Sequence, residues 1–322
     1  MPNQHSPLKA IALLSIGALT LAGCSEEPLG SGGDDSGSGG EVETVGLMVQ
    51  DLSNPFFTAM QEGVEKAAEE MGATVVTEDG RQDLDAQNEH IDSFIQQQID
   101  VLLINPVDSE GIAPAVQRAL DADITVVAVD VTAEGAQATI TSDNVQAGEQ
   151  VCEHLFEEMG GEGDILIIDG TPISSIQDRV EGCEKVLEEY PDIEVVGHQN
   201  GDNNRSEALD IATDMLTANP DVDGIFAVND PTALGATLAA EQAGADDVMI
   251  VGVDGAPEAE EELAKEGSVF VASAAQDPKM LGVRGLEMAV DLRAGEELEE
   301  DTILVETSLV TPDNLDDYEG WQ

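Results

Sequence analysis

Residues 99–106 read IDVLLINP, an almost unbroken apolar run that ends in an asparagine and a proline. A strand with one solvated face alternates apolar and polar residues, whereas a continuous apolar run predicts a parallel strand buried on both faces. A helical segment follows at 110–123, and a second apolar run, ITVVAVD, follows at 124–130. A buried strand, a helix and another buried strand in that order predict a parallel sheet flanked by helices.

The same alternation of strands and helices extends from residue 44 to residue 294 and falls into two series. Each series is long enough for one α/β unit of roughly 100 to 150 residues. No proline-rich linker separates the series, and residues 141–144 are predicted to pass directly from one to the other. The fold class predicted is therefore α/β, with two similar lobes, each built on a doubly wound parallel sheet.

Polar side chains stand where the predicted strands end. Ligands of open parallel sheets bind beyond the carboxyl ends of the strands. One such residue alone is equally well explained as a helix cap or a turn residue. Several amides and carboxylates at equivalent ends are better explained by a shared ligand. These strand-end residues are Gln50 with Asp51, Asn54, Asn105, Asp130, Asn229 with Asp230, Asp254 and Gln276.

Two of the chain's six phenylalanines, Phe56 and Phe57, stand side by side at the start of a predicted helix. An aromatic face suits the apolar C–H face of a sugar ring. Amides and carboxylates suit vicinal hydroxyls because they accept and donate in planar, bidentate geometry. Together these residue types predict a carbohydrate-binding site.

The charge balance is extreme, with 11 Lys and Arg against 68 Asp and Glu and a formal net charge of −57. The acidic residues are scattered through the predicted helices, so they form an acidic surface over a normal core. This surface argues against nucleic acids and anionic membranes as partners. It favours a protein that works in high salt, where screening removes the self-repulsion.

The N-terminal segment predicts export. An apolar run at 10–22 follows Lys9 and has the length of a signal-peptide core, too short for a membrane span. It ends in LAGC, residues 21–24, which resembles a lipobox; the alternative is an ordinary signal peptide with a chance cysteine. We therefore expect a signal peptide at 1–23, a lipidated Cys24 and a flexible tether at 24–41, which hold an extracytoplasmic protein at a membrane.

Cys152 and Cys183 are the other two cysteines, each on a predicted helix of the second series. Outside the cytoplasm such a pair can form a disulfide, and the alternative is two buried free thiols.

Motifs of catalysis are missing from the sequence. The four histidines have no metal-ligand spacing, and no GxGxxG, GxxxxGK[ST] or GxSxG pattern occurs. In so acidic a chain, pairs of carboxylates that could serve a glycosidase arise by chance. We therefore predict a binding protein that is not an enzyme, with no cofactor and no metal.

Several motifs occur in the order and spacing of a known family: NPFF at 54–57, LLINPVDSEGI at 102–112, RVEG at 179–182, the run 219–236 and VMIVGVDG at 248–255. Over residues 44–311 the chain resembles the type I periplasmic sugar-binding proteins, and most of all the ribose-binding branch, the solute-binding subunits of ABC importers. The resemblance implies two lobes joined by a three-crossover hinge, with the sugar between them.

The resemblance also implies where the crossovers and the lobes lie. The crossovers are expected at Ser142–Asp143, at Gln276–Asp277 and at 305–307. The N-terminal lobe would then comprise residues 42–142 and 277–305, and the C-terminal lobe 143–276 and 306–322.

The resemblance further implies which side chains bind the ligand, and several positions depart from ribose binders. Val131 and Gln177 replace arginines, although Arg179 is near, and Asn203 replaces a third aromatic residue. Gln50 replaces a small hydroxyl residue, and Val253 replaces a phenylalanine. The ligand expected is therefore a ribose-like pentose, a hexose, an inositol or a polyol. The residues predicted to bind it are Gln50, Asn54, Phe56, Phe57, Asn105, Asp130, Gln177, Arg179, Asn203, Asn229, Asp254 and Gln276.

The function predicted is capture of such a sugar by hinge closure and its delivery to an ABC permease and its ATPase, by a monomer that meets the membrane only through its lipid. A sensor that serves a chemotaxis or two-component receptor is the alternative, and a sugar-processing enzyme is the third reading.

Overall fold

The computed structural model describes residues 40–321. The predicted signal peptide, Cys24 and the tether up to residue 39 lie outside the described residues. None of the helices in the described part of the chain is long and apolar enough to cross a membrane.

The first lobe begins with five strands and three helices in alternation. Its third strand, VLLI, is buried along its whole length, as the opening apolar run predicted. In chain order the elements are β1 (Thr44–Val49), α1 (Pro55–Met71), β2 (Thr74–Asp79), α2 (Leu84–Gln97), β3 (Val101–Ile104), α3 (Ala113–Asp121), β4 (Thr125–Val129) and β5 (Ala138–Ser142).

The second lobe repeats this alternation after the chain leaves β5 at Ser142. Its elements are α4 (Asn144–Glu158), β6 (Glu162–Asp169), α5 (Ser174–Leu187), β7 (Asp192–Asn200), α6 (Arg205–Ala218), β8 (Gly224–Ala227), α7 (Asp230–Ala243), β9 (Met249–Asp254), α8 (Pro257–Leu263) and β10 (Phe270–Ala275).

The chain then returns to the first lobe and crosses once more. Helix α9 (Pro278–Arg293) packs against α1 and β4 of the first lobe, and β11 (Thr302–Val305) pairs with β5. Strand β12 (Ser308–Val310) pairs with β10 of the second lobe, and a short 3-10 helix at Leu315–Asp317 follows it. The three passages between the sheets thus lie between residues 142 and 144, 275 and 278, and 305 and 308.

The two sheets share one topology. The first has the strand order β11-β5-β4-β3-β1-β2 and the second β12-β10-β9-β8-β6-β7. All pairs are parallel except β10 with β12, which is antiparallel. The predicted fold class, two doubly wound α/β lobes, is confirmed.

Each sheet is covered on both faces by its own pair of apolar clusters. One cluster of the first lobe contains Phe56, Phe57 and Leu281, and the other contains Phe94 and Ile104. Burial of each large apolar side chain contributes about 1.5–3 kcal/mol, so these clusters hold the strand ends of each lobe in place.

A disulfide joins Cys152 of α4 to Cys183 of α5, with the two Cα atoms 5.3 Å apart. Of the two alternatives that the sequence left open, the structure has the bond.

Candidate ligand-binding cleft

The carboxyl ends of strands from both sheets line one cleft between the lobes, with a volume of about 30 Å³. The lobes touch beside it, where the Thr132 backbone N–H donates to Ser174 Oγ at 2.9 Å. The cleft continues into a groove of about 380 Å³ that shares Asn54, Gln82 and Asn203 with it. Its lining residues are Gln50, Asn54, Phe56, Phe57, Gln82, Asp130, Ile173, Ser175, Ile176, Arg179, Asn203, Asn229, Asp254 and Gln276.

The two phenylalanines are placed by the start of α1. Asn54 caps the helix, because its side-chain oxygen accepts from the Phe56 N–H at 3.0 Å, and Pro55 supplies the fixed φ that suits the first helical position. The rings meet edge to face with centroids 5.4 Å apart. Both rings are nearly buried and both line the cleft, so the chain presents an apolar wall beside polar groups.

Two aspartates occupy equivalent strand ends in the two lobes. Asp130 follows β4 with φ 71°, and Asp254 ends β9 with φ 137°. Positive φ is uncommon in residues other than glycine and costs of order 1–3 kcal/mol. Both strand ends thus have an unusual positive φ, although not the same one, and both aspartates line the cleft, one from each lobe.

Asp130 is buried with one of its oxygens engaged by the protein. Asn105 Nδ2 donates to Asp130 Oδ2 at 2.9 Å and to the Val129 carbonyl at 2.8 Å. Burial raises the pKa of Asp130, and the charge of Arg179 and the Asn105 hydrogen bond oppose that rise. The other oxygen, Oδ1, is buried without a hydrogen-bond partner.

Asp254 is held from two sides. Gln276 Nε2 donates to its Oδ1 at 2.7 Å, and Arg179 Nη1 lies 3.5 Å from the same oxygen. Burial raises the pKa of Asp254 to about 7, against the opposing charge of Arg179. The carboxylate is therefore poised between its charged and neutral forms near neutral pH.

Arg179 is 4% exposed and is fixed by its neighbours. Its Nε donates to Asn144 Oδ1 at 2.9 Å and its Nη1 to the Val228 carbonyl at 2.8 Å. Helix α4 approaches closely here because Gly148 has no side chain; a Cβ would lie 2.0 Å from the Arg179 carbonyl oxygen. Arg179 is the one buried cationic side chain among residues 40–321.

A third buried carboxylate, Asp230, is held by hydrogen bonds within the second lobe. Its oxygens accept from Ser273 Oγ and from the Ala256 N–H, both at 2.7 Å, at the start of α7. Burial and then the charge of Asp254 raise its pKa well above the usual range. Because both its oxygens are engaged and it lines only the adjoining groove, we assign it to the support of the strand ends.

Four polar atoms of the cleft side chains are buried without a hydrogen-bond partner. They are Gln50 Nε2, Asp130 Oδ1, Asn203 Oδ1 and Gln276 Oε1. Buried polar groups are hydrogen-bonded in the great majority of cases, and each exception carries a free-energy cost of about 1–3 kcal/mol. Asn203 Oδ1 lies against Gly170, which is outside the cleft lining. The other three atoms, one donor and two acceptors on residues of the cleft, match a molecule with several hydroxyl groups, since a hydroxyl both donates and accepts.

Ten of the twelve residues predicted to bind the ligand line this cleft, and two do not. Asn105 lies behind Asp130 and orients it, as the hydrogen bonds above show. Gln177 lies in a separate groove with Asp108, Ser109 and Glu110. Its placement corrects the prediction: α5 begins at Ser174, and at about 100° per residue Ser175, Ile176 and Arg179 share a face that Gln177 does not.

Four lining residues were not predicted. Gln82 follows β2 in a loop where Arg81 and Gln82 have φ of 51° and 56°; Asp202 and Asn203 of the equivalent loop after β7 have 52° and 53°. The strand-end rule applied to β2, which ends at Asp79, points to this loop but does not single out Gln82 within it. The other three, Ile173, Ser175 and Ile176, follow β6, where the same rule applies.

No group of metal-ligating side chains occurs within the described range 40–321.

Comparisons with known proteins agree with this geometry. The periplasmic binding protein domain model matches residues 45–297. The chain belongs to that family, in the type I sugar-binding form, whose members bind solutes and are not enzymes. The prediction that the protein is not an enzyme is confirmed.

Three relatives are similar over most of their length. The ribose import binding protein of Bacillus subtilis is 32% identical over 90% of this chain and 95% of that protein. The xylitol-binding protein of Mycolicibacterium smegmatis is 30% identical over 98% of this chain and 88% of that protein. The crystal structure of an ABC transporter solute-binding protein of Bacillus halodurans with bound myo-inositol is 30% identical, with a TM-score of 0.79 over 88% of this chain and 99% of that one.

Proposed function

We propose that this protein is an extracytoplasmic solute-binding lipoprotein that captures a neutral monosaccharide or polyol by hinge closure and delivers it to an ABC permease. The observation that carries the proposal is the pair of strained aspartates, Asp130 and Asp254, facing one cleft from two lobes. Because each lobe supplies one carboxylate, a ligand that bonds to both stabilises the closed arrangement of the lobes.

The polar atoms favour a ligand rich in hydroxyls. Vicinal hydroxyls can donate to the free oxygen of Asp130 and to Gln276 Oε1, and a hydroxyl oxygen can accept from Gln50 Nε2. Phe56 and Phe57 add an apolar surface for the C–H face of the ligand. The named ligands of the three relatives, ribose, xylitol and myo-inositol, share this polyhydroxyl character.

The charge of the cleft favours a neutral ligand over an anionic one. The cleft is lined by two buried carboxylates, Asp130 and Asp254, and by one buried guanidinium, that of Arg179. A third buried carboxylate, Asp230, lies close enough to Asp254 to raise its own pKa. A sugar phosphate or a uronate would add a further negative charge to a buried, already acidic site, at a large cost in free energy.

Two departures from ribose binders, one beside the cleft and one in its lining, favour a ligand other than ribose. Val131, which stands where ribose binders have an arginine, is buried in the apolar cluster of the second lobe that includes Ile173 and Ile176. Asn203 stands in place of an aromatic residue, and its Nδ2 donates to Thr171 Oγ1 at 2.8 Å. A buried valine and an amide thus replace one guanidinium and one aromatic ring, so the contacts that these groups make with ribose are lost.

The anchor and the partners complete the proposal. Lipidation of Cys24 would tether the body to a membrane through residues 24–41, and a permease with its ATPase would accept the solute from the closed monomer. Cys24→Ala in the full chain should release the protein from the membrane fraction, whereas Cys152→Ser should leave it there.

The test is a thermal-shift screen of residues 42–322 with pentoses, hexoses, inositols and polyols, in low and in molar salt. A ligand of the native state raises the melting temperature by mass action. We expect at least one neutral polyhydroxyl compound to raise it for the wild type and to fail with Asp254→Asn. If no such compound raises it in either salt, or if a sugar phosphate does so most strongly, the proposal is wrong.

A further inference from the structure

The C-terminal segment, residues 311–321, ends in the chain's single tryptophan. Trp321 packs against an apolar cluster of each lobe: the one that contains Phe56 and the one that contains Phe270. It lies far in sequence from every strand end of the cleft, and the strand-end rule does not reach it.

Two side chains of this segment bind consecutive carbonyls at the end of β9. Trp321 Nε1 donates to the Asp254 carbonyl at 2.9 Å, and Tyr318 Oη donates to the Gly255 carbonyl at 2.6 Å. These peptides flank the strained φ of 137° at Asp254 and the left-handed φ of 68° at Gly255, which glycine adopts without strain. The segment thus fixes the backbone that aims the Asp254 carboxylate into the cleft.

The same indole touches the other lobe. Trp321 and Phe56 meet edge to face with ring centroids 5.8 Å apart, and Phe56 in turn meets Phe57 at 5.4 Å. One side chain therefore joins a carboxylate-bearing strand of the second lobe to the aromatic wall of the first.

We propose that Trp321 is a positioning residue that couples the closure of the lobes to the orientation of Asp254; this inference rests on the proposed function. Asp254 and Phe56 belong to different lobes, so hinge opening separates them and Trp321 keeps only one of its two sets of contacts. The Trp321 contact that opening breaks therefore stabilises the closed form. Because ligand binding also favours the closed form, binding of the ligand and packing of the indole stabilise each other.

The first measurement uses the ligand-free body, residues 42–322. Small-angle scattering of the wild type, Trp321→Phe and Trp321→Ala should show a radius of gyration that increases in that order, because phenylalanine keeps the ring contact and alanine keeps neither contact. Val310→Ala is the matched control: it shortens a buried side chain of the same cluster in the second lobe, and its radius should equal that of the wild type. Equal radii for the wild type and Trp321→Ala would overturn the inference even if no ligand is found.

The second measurement uses D-ribose, xylitol and myo-inositol as probes, with calorimetry well below every melting temperature. A compound that binds the wild type should bind Trp321→Phe about fivefold more weakly, for the lost hydrogen bond, and Trp321→Ala at least about tenfold more weakly. Its addition should also change the emission of the single tryptophan. Binding by Trp321→Ala within twofold of the wild type, or equal weakening by Val310→Ala, would refute the coupling and leave the proposed function standing.

Discussion

Asp254→Asn should make the ligand-free protein more stable while it weakens ligand binding. The pKa of Asp254 rises from 3.8 to about 7 in the folded protein because the carboxylate is buried. A shift of that size corresponds to about 4 kcal/mol of destabilisation above pH 7. That shift is already the net of burial against the Arg179 charge and the Gln276 hydrogen bond, both of which lower the pKa. The stabilisation expected above pH 7 is therefore about 4 kcal/mol, or roughly 8–16 °C in melting temperature.

The sign of the pH dependence follows from where the proton is held. Between pH 4 and pH 7 the folded state binds the Asp254 proton and the unfolded state has released it. The wild type therefore loses stability as pH rises through this window, whereas Asp254→Asn lacks this contribution. The melting-temperature difference between the two proteins should be largest above pH 7 and should shrink toward zero near pH 4.

The assay is thermal unfolding of residues 42–322 without ligand across this pH range, with calorimetry of ligand binding at pH 8. Affinity should fall about a hundredfold in Asp254→Asn, since the charge-assisted bonds to hydroxyls are lost. Asp214→Asn, at an exposed position of α6, is the control and should change neither quantity. A variant less stable than the wild type at pH 8, or a difference that does not vary with pH, would refute the reasoning.

Three further outcomes are expected. Phe57→Leu keeps apolar volume but removes the aromatic face, so ligand affinity measured by calorimetry should fall about tenfold. The control is Phe94→Leu, in the core on the opposite face of the sheet, which should lower the free energy of unfolding and leave ligand affinity unchanged. Cys152→Ser with Cys183→Ser should lower the free energy of unfolding by about 3–4 kcal/mol in denaturant titrations, because the disulfide closes a loop of 31 residues; unchanged stability would contradict this. The melting temperature should rise with sodium chloride up to molar concentration at pH 8 and less at pH 4, where about half of the carboxylates are protonated; equal salt effects at both pH values would count against screening as the cause.

The fold was predictable because its signal is repeated. VLLI of β3 and IVGV of β9 are short apolar runs of the kind that a doubly covered parallel sheet accommodates, and their alternation with helices and turns leaves few other topologies. Most of the cleft was predictable for a related reason. In a parallel sheet the strand ends meet at one edge, so their side chains converge whatever lies between them in sequence.

The remainder of the site depends on geometry that a local pattern does not contain. Whether Gln177 or Ile176 faces the cleft depends on the residue at which α5 begins, and a shift of one residue turns the helix by about 100°. Trp321 meets the Asp254 carbonyl across 67 residues of sequence, in a segment that has no strand-and-helix repeat. Gln82 follows a half-buried edge strand, TVVTED, whose end is polar over several residues and so marks no single position.

Neither lobe is a continuous stretch of chain, and this affects how the protein can be assembled. Strand β11 pairs with β5 through Thr302 and Thr139, and α9 covers the apolar cluster beside α1. A chain that stops before residue 278 would leave β5 as an exposed apolar edge and that cluster uncovered, which are the conditions for aggregation. The first lobe is therefore synthesised first but cannot complete its fold until α9 and β11 have been synthesised. Nearly the whole polypeptide must be present before either lobe can bury its core.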